Sequence, residues 1–357
     1  MSQEETLGLP IPAGRASHPP EAAVASQGCL ETGDSHLRQG NYNRAIRAYR
    51  HGLKHSPREP RLYLMLAEAC GCKGWYITAR SLYCQAFSLD PHGSRQLQRR
   101  LALAEPPRQS HPSLPKSVFV LGCSHSGTSI LARILANHSS LMHACHGESH
   151  VFVQPKAQLR NALEDWDANC RTRDKSGWVE KSVIHCFQVP RILSHRPNAK
   201  FVVILRDGRD VACSTKTRKY GYRRFDDLIR QWVCTNRAIL HYRDTPGFHV
   251  VRYEQLVRDP EKVLGDVCTF IEEPFESSML DYHLREISWN AVADARKSTK
   301  LAGHRDHQRL RHWQVNQPLF DGSGRWRGEM SDDEKSAFKA IAGRELEEWG
   351  FARNEDW

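Results

Sequence analysis

The sequence predicts an α/β protein whose parallel sheet is flanked by helices and preceded by a small α-helical domain. Two observations predict the sheet. An apolar, β-branched segment, 118–121, leads through a loop of small residues into a helix, and a second apolar segment, 200–205, ends in charged residues. In the first third of the chain, similar residues recur 34 positions apart, which predicts paired helices.

The composition divides the 357 residues into four parts. Residues 1–27 are rich in Pro, Ala, Ser and Glu, which predicts a disordered tail. Residues 28–105 are predicted to form the helical domain, and the prolines within 106–115 a stiff linker. Residues 116–357 are predicted to form the α/β domain, which is long enough to bury a sheet.

The helical domain is predicted from an internal repeat. The positions Gly40, Tyr42, Ala45, Tyr49 and Pro57 recur as Gly74, Tyr76, Ala79, Tyr83 and Pro91. An offset of 34 residues is the period of tetratricopeptide repeats, and a further helix is expected over 94–105. Two repeats make a thin solenoid, so we expect it to pack against the α/β domain. Helical stabilisation and binding of a protein partner both remain open as its role.

The loop 122–129 has the features of a phosphate cradle. It joins the strand 118–121 to a helix, so backbone N–H groups and the positive helix end can face one anion. Its glycine spacing matches a Walker A loop, but Thr128 stands where that loop has lysine. Without the lysine, no point charge spans the β- and γ-phosphates of a triphosphate. A kinase is therefore disfavoured, and a donor that carries a sulfuryl group on one phosphate is favoured.

A second anion site is predicted at the end of the strand 200–205. Ligands of α/β sheets bind beyond the carboxyl ends of strands, which is where Arg206 lies. Ser214 and Arg218 follow on the next helix and can share a second phosphate with Arg206. Two separate anion sites fit a nucleotide that is phosphorylated on both its 5′ and 3′ sides. A third strand, 248–253, brings Tyr253 to the same edge.

With these motifs the chain resembles the sulfotransferases that use 3′-phosphoadenosine-5′-phosphosulfate (PAPS), and tyrosylprotein sulfotransferases in particular. The loop 122–129 resembles the family's 5′-phosphosulfate loop, and Arg206 with Ser214 resembles its 3′-phosphate motif. The resemblance covers roughly 116–350. Further similar segments are 147–151, 197–201, 206–209, 236–239 and 252–257.

The resemblance implies a sulfotransferase fold, PAPS as co-substrate, adenosine 3′,5′-bisphosphate as product and no metal requirement. Arg325, beside Trp326, resembles the family's basic residue near the donor. The predicted donor-binding residues are Ser124, His125, Ser126, Gly127, Thr128, Ser129, Arg206, Ser214, Arg218, Tyr253 and Arg325.

Three residues are candidates for the chemistry, which needs a base and positive charge on the leaving oxygen. Glu148 falls where the resemblance places the catalytic glutamate, and Lys181 lies in a segment that resembles the one with the family's active-site lysine. His125 stands where relatives have Arg or Lys, and imidazole carries charge only when its pKa is high enough. A bound dianion would raise that pKa, so we expect an acid-side limb in the rate profile.

Other residue patterns leave alternatives open. His143, His146 and His150 are spaced as metal ligands can be, although such histidines are more often ordinary surface or core residues, and one could share the base role. Cys123 lies in the donor loop and could act as a nucleophile. The segment 291–327 is basic and weakly periodic, which we interpret as a mobile lid.

Charge and cysteine usage set limits on class and compartment. The formal net charge of +10 suits a polyanionic nucleotide and an acidic acceptor, and no nucleic-acid-binding motif accompanies it. Eleven scattered cysteines without a Cys-x-x-Cys pair favour reduced thiols. No apolar stretch reaches the roughly 20 residues of a membrane span. A cytoplasmic location is therefore expected, and a Golgi one less so.

The acceptor stays open at this point. The resemblance suggests tyrosine in an acidic peptide, with a basic rim made of Arg223, Arg224, Arg296 and Lys297. A hydroxyl of a sugar, lipid or small molecule is also compatible with the sequence. Two alternatives of another class are a P-loop kinase and a catalytically inactive scaffold that works through its repeats.

Overall fold

A computed structural model describes residues 20–103, 114–216, 224–289, 304–354 and 357. The described residues fall into two compact units. Unit 1 contains those within Met1–Pro107 together with His150–Asn161 and Phe187–His195. Unit 2 contains those within Arg108–Ser149, Ala162–Cys186 and Arg196–Trp357. Two segments of the predicted α/β domain thus belong to the unit of the repeats.

Unit 1 is built on five consecutive helices. They are α1 (Pro20–Arg38), α2 (Tyr42–His55), α3 (Pro60–Cys72), α4 (Tyr76–Leu89) and α5 (Pro91–Leu103). The helices α2 and α4 end two residues before Pro57 and Pro91, as the sequence predicts, since proline cannot continue a helix.

The predicted disordered tail is wrong for residues 20–27, because α1 begins at Pro20. Proline is well suited to the first position of a helix, and the alanines that follow have high helix propensity. The side chain of Leu30 in α1 is buried, and a Cβ on Gly33 would overlap the Tyr49 ring of α2 at 2.3 Å. This close packing stabilises α1. Residues 1–19 lie outside the described residues.

The repeat appears in the hydrogen bonds as well as in the residue types. Tyr49 and Tyr83 are fully buried, and their hydroxyls donate to Asp34 and Glu68 at 2.7 Å each. Donor and acceptor are both displaced by one repeat period. Among the described residues Tyr83 has a further partner, since Gln188 donates to its hydroxyl at 2.8 Å and to Glu68 at 3.2 Å.

The remaining elements supply the sheet of unit 2 and its helices. The five strands are β1 (Lys116–Leu121), β2 (Leu141–His143), β3 (Gly177–Glu180), β4 (Lys200–Leu205) and β5 (Phe248–Arg252). The α-helices, some of which lie wholly or partly in unit 1, are α6 (Thr128–Leu135), α7 (Lys156–Thr172), α8 (Val189–His195), α9 (Gly208–Lys216), α10 (Phe225–Leu240), α11 (Tyr253–Arg258), α12 (Pro260–Phe270), α13 (His304–Val315), α14 (Trp326–Glu329) and α15 (Asp332–Glu348). Short 3₁₀ helices cover Val151–Val153, Val183–Phe187 and Ser277–Leu284.

The five strands pair in the order β2-β3-β1-β4-β5, and every pairing is parallel. Alternate residues of the central strands pack on opposite faces. Val118, Val120 and Ile204 belong to one apolar cluster. On the other face the Phe119 ring lies 5.6 Å from Phe201 and 5.4 Å from Trp178. The predicted α/β class with a parallel sheet flanked by helices is confirmed.

Two local predictions near the C-terminus concern the segment 291–327 and the pattern Ser331-x-x-Glu334, which is typical of a capping box at the start of a helix. The capping box of Ser331 and Glu334 is present and opens α15. Of the segment interpreted as a mobile lid, residues 304–315 form the helix α13. In this helix His312 and Val315 are buried, and His312 accepts from the backbone N–H of Trp289 at 3.1 Å. Residues 291–303 lie outside the described residues.

A search of the described helices finds none with the length and apolar character that crossing a bilayer requires.

The repeated tyrosines give a matched stability test. Replacing Tyr83 by Phe removes a buried hydroxyl with two partners, so we expect a loss of about 1–3 kcal/mol in the free energy of unfolding. Tyr49→Phe removes the same group, but among the described residues that hydroxyl is hydrogen-bonded to Asp34 alone, so one contact is lost instead of two. That variant should lose about 0.5–1.5 kcal/mol. Urea denaturation measures both, and an equal or reversed order would contradict the structure of unit 1.

Candidate active site

The candidate site lies where the five parallel strands end. Because parallel strands present their carboxyl ends at one edge, the residues that follow them are brought together. The donor loop follows β1, the loop with Glu148 follows β2, Lys181 follows β3, Arg206 follows β4 and Tyr253 follows β5. Residues from five separate parts of the sequence therefore share this edge.

The donor loop has the backbone of an anion cradle. His125 adopts a φ of 68° and Gly127 a φ of 98°, both in the left-handed region. Such a conformation is uncommon for a non-glycine residue and occurs where a loop is shaped for function. A Cβ on Gly127 would lie 3.0 Å from the Tyr253 ring, so the loop needs glycine there. Gly127 also caps α6, whose N-terminus points its N–H groups at the loop.

Two hydroxyls in the loop are buried without a hydrogen-bond partner among the described residues. They are Ser126 Oγ and Ser129 Oγ. Leaving a buried polar group unsatisfied costs about 1–3 kcal/mol, so such groups are rare. Their position at the start of α6 suits the oxygens of a phosphate. The loop therefore fits an anionic ligand in its side chains as well as in its backbone.

Arg206 connects the donor loop with the segment 320–326. Its buried guanidinium donates to the backbone oxygens of His125 at 3.0 Å and Gly322 at 2.7 Å. It also lies over the Tyr253 ring at 4.0 Å from the centroid, a cation–π contact. Its Nε is buried with no partner among the described residues. Arg206 is thus held in place while its Nε–H stays available to a ligand.

The other predicted donor residues have different positions. Ser214 lies in α9, the helix after Arg206, and is half-buried. Arg218 lies outside the described residues. Arg325 pairs with Glu329 in the next turn, Nε to Oε1 at 2.8 Å, so its guanidinium is engaged locally. The phenol of Tyr253 donates to the Phe320 backbone oxygen at 3.0 Å, and burial raises its pKa, with Arg206 acting in the opposite direction.

Asp210 anchors the segment that contains Arg325, and the sequence argument missed it. Its carboxylate accepts from the backbone N–H groups of Gly324 at 2.7 Å and Trp326 at 3.0 Å. Burial raises its pKa, while the two backbone N–H groups oppose the shift. The sequence does place Asp210 four residues after Arg206, and this closeness to a predicted donor-binding residue could have identified it.

Glu148 and Lys181 form an ion pair. The Lys181 Nζ lies 2.6 Å from Glu148 Oε1. The lysine side chain is 4% exposed and the glutamate side chain 31%, so the carboxylate reaches solvent and the ammonium lies behind it. A solvent-facing carboxylate held by a fixed cation has the arrangement needed to accept a proton from a docked group. The two catalytic candidates from separate sequence segments are therefore in contact.

Aromatic and cationic side chains that the sequence argument did not identify surround this pair. Trp289 is buried, and the centroid of its ring lies 5.9 Å from Lys181 Nζ and 5.6 Å from that of His143. Burial lowers the pKa of Arg311, which lies on α13. The negative charge of Glu148 acts in the opposite direction but is the smaller effect. The helical period of α13 could have been found from the sequence, but its neighbours in space could not.

The histidine and cysteine alternatives gain little support. His143 and His146 are 5.3 Å apart between ring centroids, and His150 belongs to unit 1. Within the described part of the chain, no three His, Cys, Asp or Glu side chains are grouped as metal ligands. Cys123 is buried in an apolar cluster with Leu205 and Val211, which favours packing over nucleophilic attack.

A buried carboxylate lies directly beside the ion pair in the sequence. Glu180 is 1% exposed, and one of its oxygens accepts from Ser149 Oγ and from Ser182 Oγ, both at 2.6 Å. Its other oxygen is 2.8 Å from His185 Nδ1. Glu180 directly precedes Lys181, and no role was predicted for it from the sequence.

Comparison with known proteins finds similarity in the segment that carries several of the candidate residues. Residues 141–277, which include Glu148, Lys181 and Arg206, match the family model described as sulfotransferase family. The match covers less than half of the chain. Residues 28–69 match the tetratricopeptide repeat, which confirms the expected character of the N-terminal helices.

The curated proteins that are similar to this chain are distant from it. A putative protein-tyrosine sulfotransferase from Caenorhabditis briggsae is 26% identical over 206 residues, 46% of this chain and 69% of that protein. Protein-tyrosine sulfotransferase A from Caenorhabditis elegans is 22% identical over 200 residues, 46% of this chain and 52% of that protein. An uncharacterized protein from Aquifex aeolicus is 26% identical over 231 residues, 53% of this chain and 30% of that protein. The chain thus spans between 30% and 69% of the length of these relatives.

Solved structures with some similarity include the sulfotransferase domain from the curacin biosynthetic pathway. It has a TM-score of 0.47 and 19% identity, and the match covers 65% of this chain and 97% of that one. Mouse sulfotransferase SULT7A1 complexed with PAP has a TM-score of 0.44 and 12% identity, with coverage of 65% and 84%.

The pKa of His143 gives a test of the site's packing. Burial lowers this pKa to about 3, with His146 and Arg133 adding to the shift, so the folded protein keeps the imidazole neutral. The unfolded chain binds a proton below pH 6.5, so the free energy of unfolding should fall between pH 6.5 and 4.5. In His143→Gln, we expect that fall to be smaller by about 1–2 kcal/mol. Urea denaturation at both pH values measures it, and identical slopes would contradict the burial of His143.

Proposed function

We propose that the chain transfers a sulfuryl group from PAPS to an acceptor hydroxyl and releases adenosine 3′,5′-bisphosphate. The observation that carries this proposal is the 2.6 Å pair of Glu148 and Lys181, at the same strand edge as a lysine-free phosphate loop. The family match over residues 141–277 supports the same class of reaction.

The donor would occupy two sites along the strand edge. The loop from Ser124 to Ser129 would receive the 5′-phosphosulfate, where the unpartnered hydroxyls of Ser126 and Ser129 can donate to its oxygens. Arg206, with Ser214 and Arg218, would bind the 3′-phosphate, and the free Nε of Arg206 supports this. The ring of Tyr253 packs against the guanidinium group of Arg206 and helps to hold it in place.

The transfer would combine a proton transfer, the exchange of one bond at sulfur for another, and stabilisation of the leaving oxygen. Glu148 accepts the acceptor's hydroxyl proton as the hydroxyl oxygen bonds to sulfur. The bond from sulfur to the bridging phosphate oxygen breaks, and the electron pair stays on the nucleotide. Lys181 and His125 then stabilise the negative charge on that oxygen, which needs no metal ion.

The acceptor is proposed to be tyrosine in an acidic peptide or protein. The names of the distant relatives favour it, and the net charge of +10 would attract acidic sequences. Of the predicted basic rim, Arg224 is exposed and 3.4 Å from Asp226, while Arg223, Arg296 and Lys297 lie outside the described residues. A hydroxyl on a carbohydrate or small molecule is the alternative. Binding of a protein partner by the repeats and a cytoplasmic location stay predictions.

Donor binding is tested by titrating adenosine 3′,5′-bisphosphate in a calorimeter with EDTA present. Ser126→Ala and Ser129→Ala each remove a hydroxyl that would bond a charged phosphate, so affinity should fall about tenfold or more. Ser117→Ala is the control, because Ser117 is also buried and lies on β1 away from the loop. No heat with the wild type, or equal losses in all three variants, would contradict the donor site.

Turnover is tested by incubation with ³⁵S-labelled PAPS and pools of peptides, glycans and metabolites. Glu148→Gln keeps the shape of the side chain but removes the base, so the rate of transfer should fall about 10²–10⁴-fold with donor affinity unchanged. Glu272→Gln is the control, because Glu272 pairs with Lys200 at 2.7 Å at the amino end of β4. Donor binding without any label transfer, unchanged in Glu148→Gln, would favour the inactive scaffold instead.

A further inference from the structure

We propose that Glu180 is a positioning residue that sets the geometry of the Glu148–Lys181 pair by holding both of the loops that carry it. The role in catalysis rests on the proposed function, whereas the role in fixing the pair can be measured without turnover. Neither the family match nor the named relatives assign a role to this residue.

The ion pair is flanked by a serine in each of its two loops. Ser149 follows Glu148 directly, and Ser182 follows Lys181 directly. Both serine hydroxyls donate to the same oxygen, Oε1 of Glu180, at 2.6 Å. The ion pair joins the two loops on the solvent side, and Glu180 joins them from the buried side. Two loops that end different strands are therefore connected at two points.

The connection forms a closed circuit. Lys181 Nζ contacts Glu148 Oε1, the peptide bond leads from Glu148 to Ser149, and Ser149 bonds to Glu180. From Glu180 the chain returns to Lys181 through one peptide bond. Glu180 ends β3 in register with Phe119 of β1, so the hub of this circuit is fixed by the sheet. A displacement of either loop must break a hydrogen bond to a buried carboxylate.

A carboxylate in this position has a cost that requires an explanation. Glu180 is almost fully buried, and burial alone would raise its pKa and destabilise the ion. His185 and the two serine hydroxyls outweigh burial, and the pKa is lowered overall. The carboxyl group is thus ionised and accepts at both oxygens. An amide in its place would present N–H either to the two serine hydroxyls or to His185 Nδ1, so the groups on that side would have to exchange donor and acceptor roles or lose the contact.

Asp167 shows what a buried carboxylate with a purely structural role looks like in the same unit. It accepts from Trp178 Nε1 at 3.0 Å and pairs with Arg196 Nη2 at 2.7 Å. Trp178 is on β3, two residues before Glu180, but neither partner is next to a candidate catalytic residue. Asp167→Asn is therefore a matched control for the loss of a buried charge, because Asp167 lies on α7 and bonds to the strand that carries Glu180.

The first experiment separates turnover from binding. In Glu180→Gln, we expect kcat for any acceptor found by label transfer to fall about 10–100-fold, because small misplacements of a catalytic group cost rates of that order. Calorimetric affinity for adenosine 3′,5′-bisphosphate should stay within twofold. Asp167→Asn should lower the melting temperature and leave kcat within about threefold. Equal losses of kcat and nucleotide affinity in Glu180→Gln would overturn the positioning role.

The serines decide whether Glu180 acts through the two loops. The double variant Ser149→Ala/Ser182→Ala should lower kcat as Glu180→Gln does. Adding Glu180→Gln to that variant should cost less than about threefold more, because neighbours in one network are not additive. Full activity of the double-serine variant, or full additivity, would contradict the inference. This arm also covers the case in which Glu180→Gln fails to fold.

A second readout does not require activity. Lys181 is held against Glu148 and is 4% exposed, so its acetylation by acetic anhydride, measured by peptide mass spectrometry, should be slow. In Glu180→Gln and in the double-serine variant it should be at least severalfold faster, and in Asp167→Asn unchanged. Unchanged labelling in the first two would overturn the inference. If the wild type transfers no ³⁵S from PAPS, the proposed function is overturned, but the acetylation result for Lys181 still tests the positioning role of Glu180.

Discussion

The parallel pairing of five strands is the constraint on which the candidate site depends. It places the carboxyl ends of β1 to β5 at one edge, and each candidate side chain follows one of those ends. An antiparallel strand in the same position would send its following loop to the opposite edge. The apolar residues on both faces of β1 and β4 hold this arrangement, since parallel sheets are stable when covered on both sides.

Charge is placed at this edge in two ways. Solvent-facing or loop groups can meet a ligand: the carboxylate of Glu148, the hydroxyls of the donor loop and the Nε of Arg206. Buried groups hold the loops that carry them, as Arg206 does for His125 and Gly322, and Asp210 does for Gly324 and Trp326. Each buried charge costs desolvation, which is offset only where several hydrogen bonds meet it. Arg206 and Asp210 therefore hold the loops at the carboxyl edge of the sheet by hydrogen bonds to backbone carbonyl and N–H groups.

The sequence was sufficient where local chemistry decides the structure. The apolar strands 118–121 and 200–205, the glycine-containing loop, the capping box and the repeat period all depend on residues that are close in the chain. It was insufficient where distant segments meet. The hydrogen bonds of Glu180, the contact of Trp289 with His143, and the membership of His150–Asn161 and Phe187–His195 in unit 1 depend on tertiary packing. Helix α1 also begins at Pro20, before residue 28 where the helical domain was predicted to start, because packing on α2 overrides a tail-like composition.

A crystal structure with adenosine 3′,5′-bisphosphate, grown without divalent cations, tests the central claim most directly. The account predicts the 5′-phosphate on the N–H groups and hydroxyls of residues 124–129, and the 3′-phosphate beside Arg206 and Ser214. The Glu148 carboxylate should face the space beyond the 5′-phosphate, where a sulfuryl group and an acceptor would meet. A nucleotide bound elsewhere, or a loop that is ordered only by ATP with Mg²⁺, would contradict the assignment.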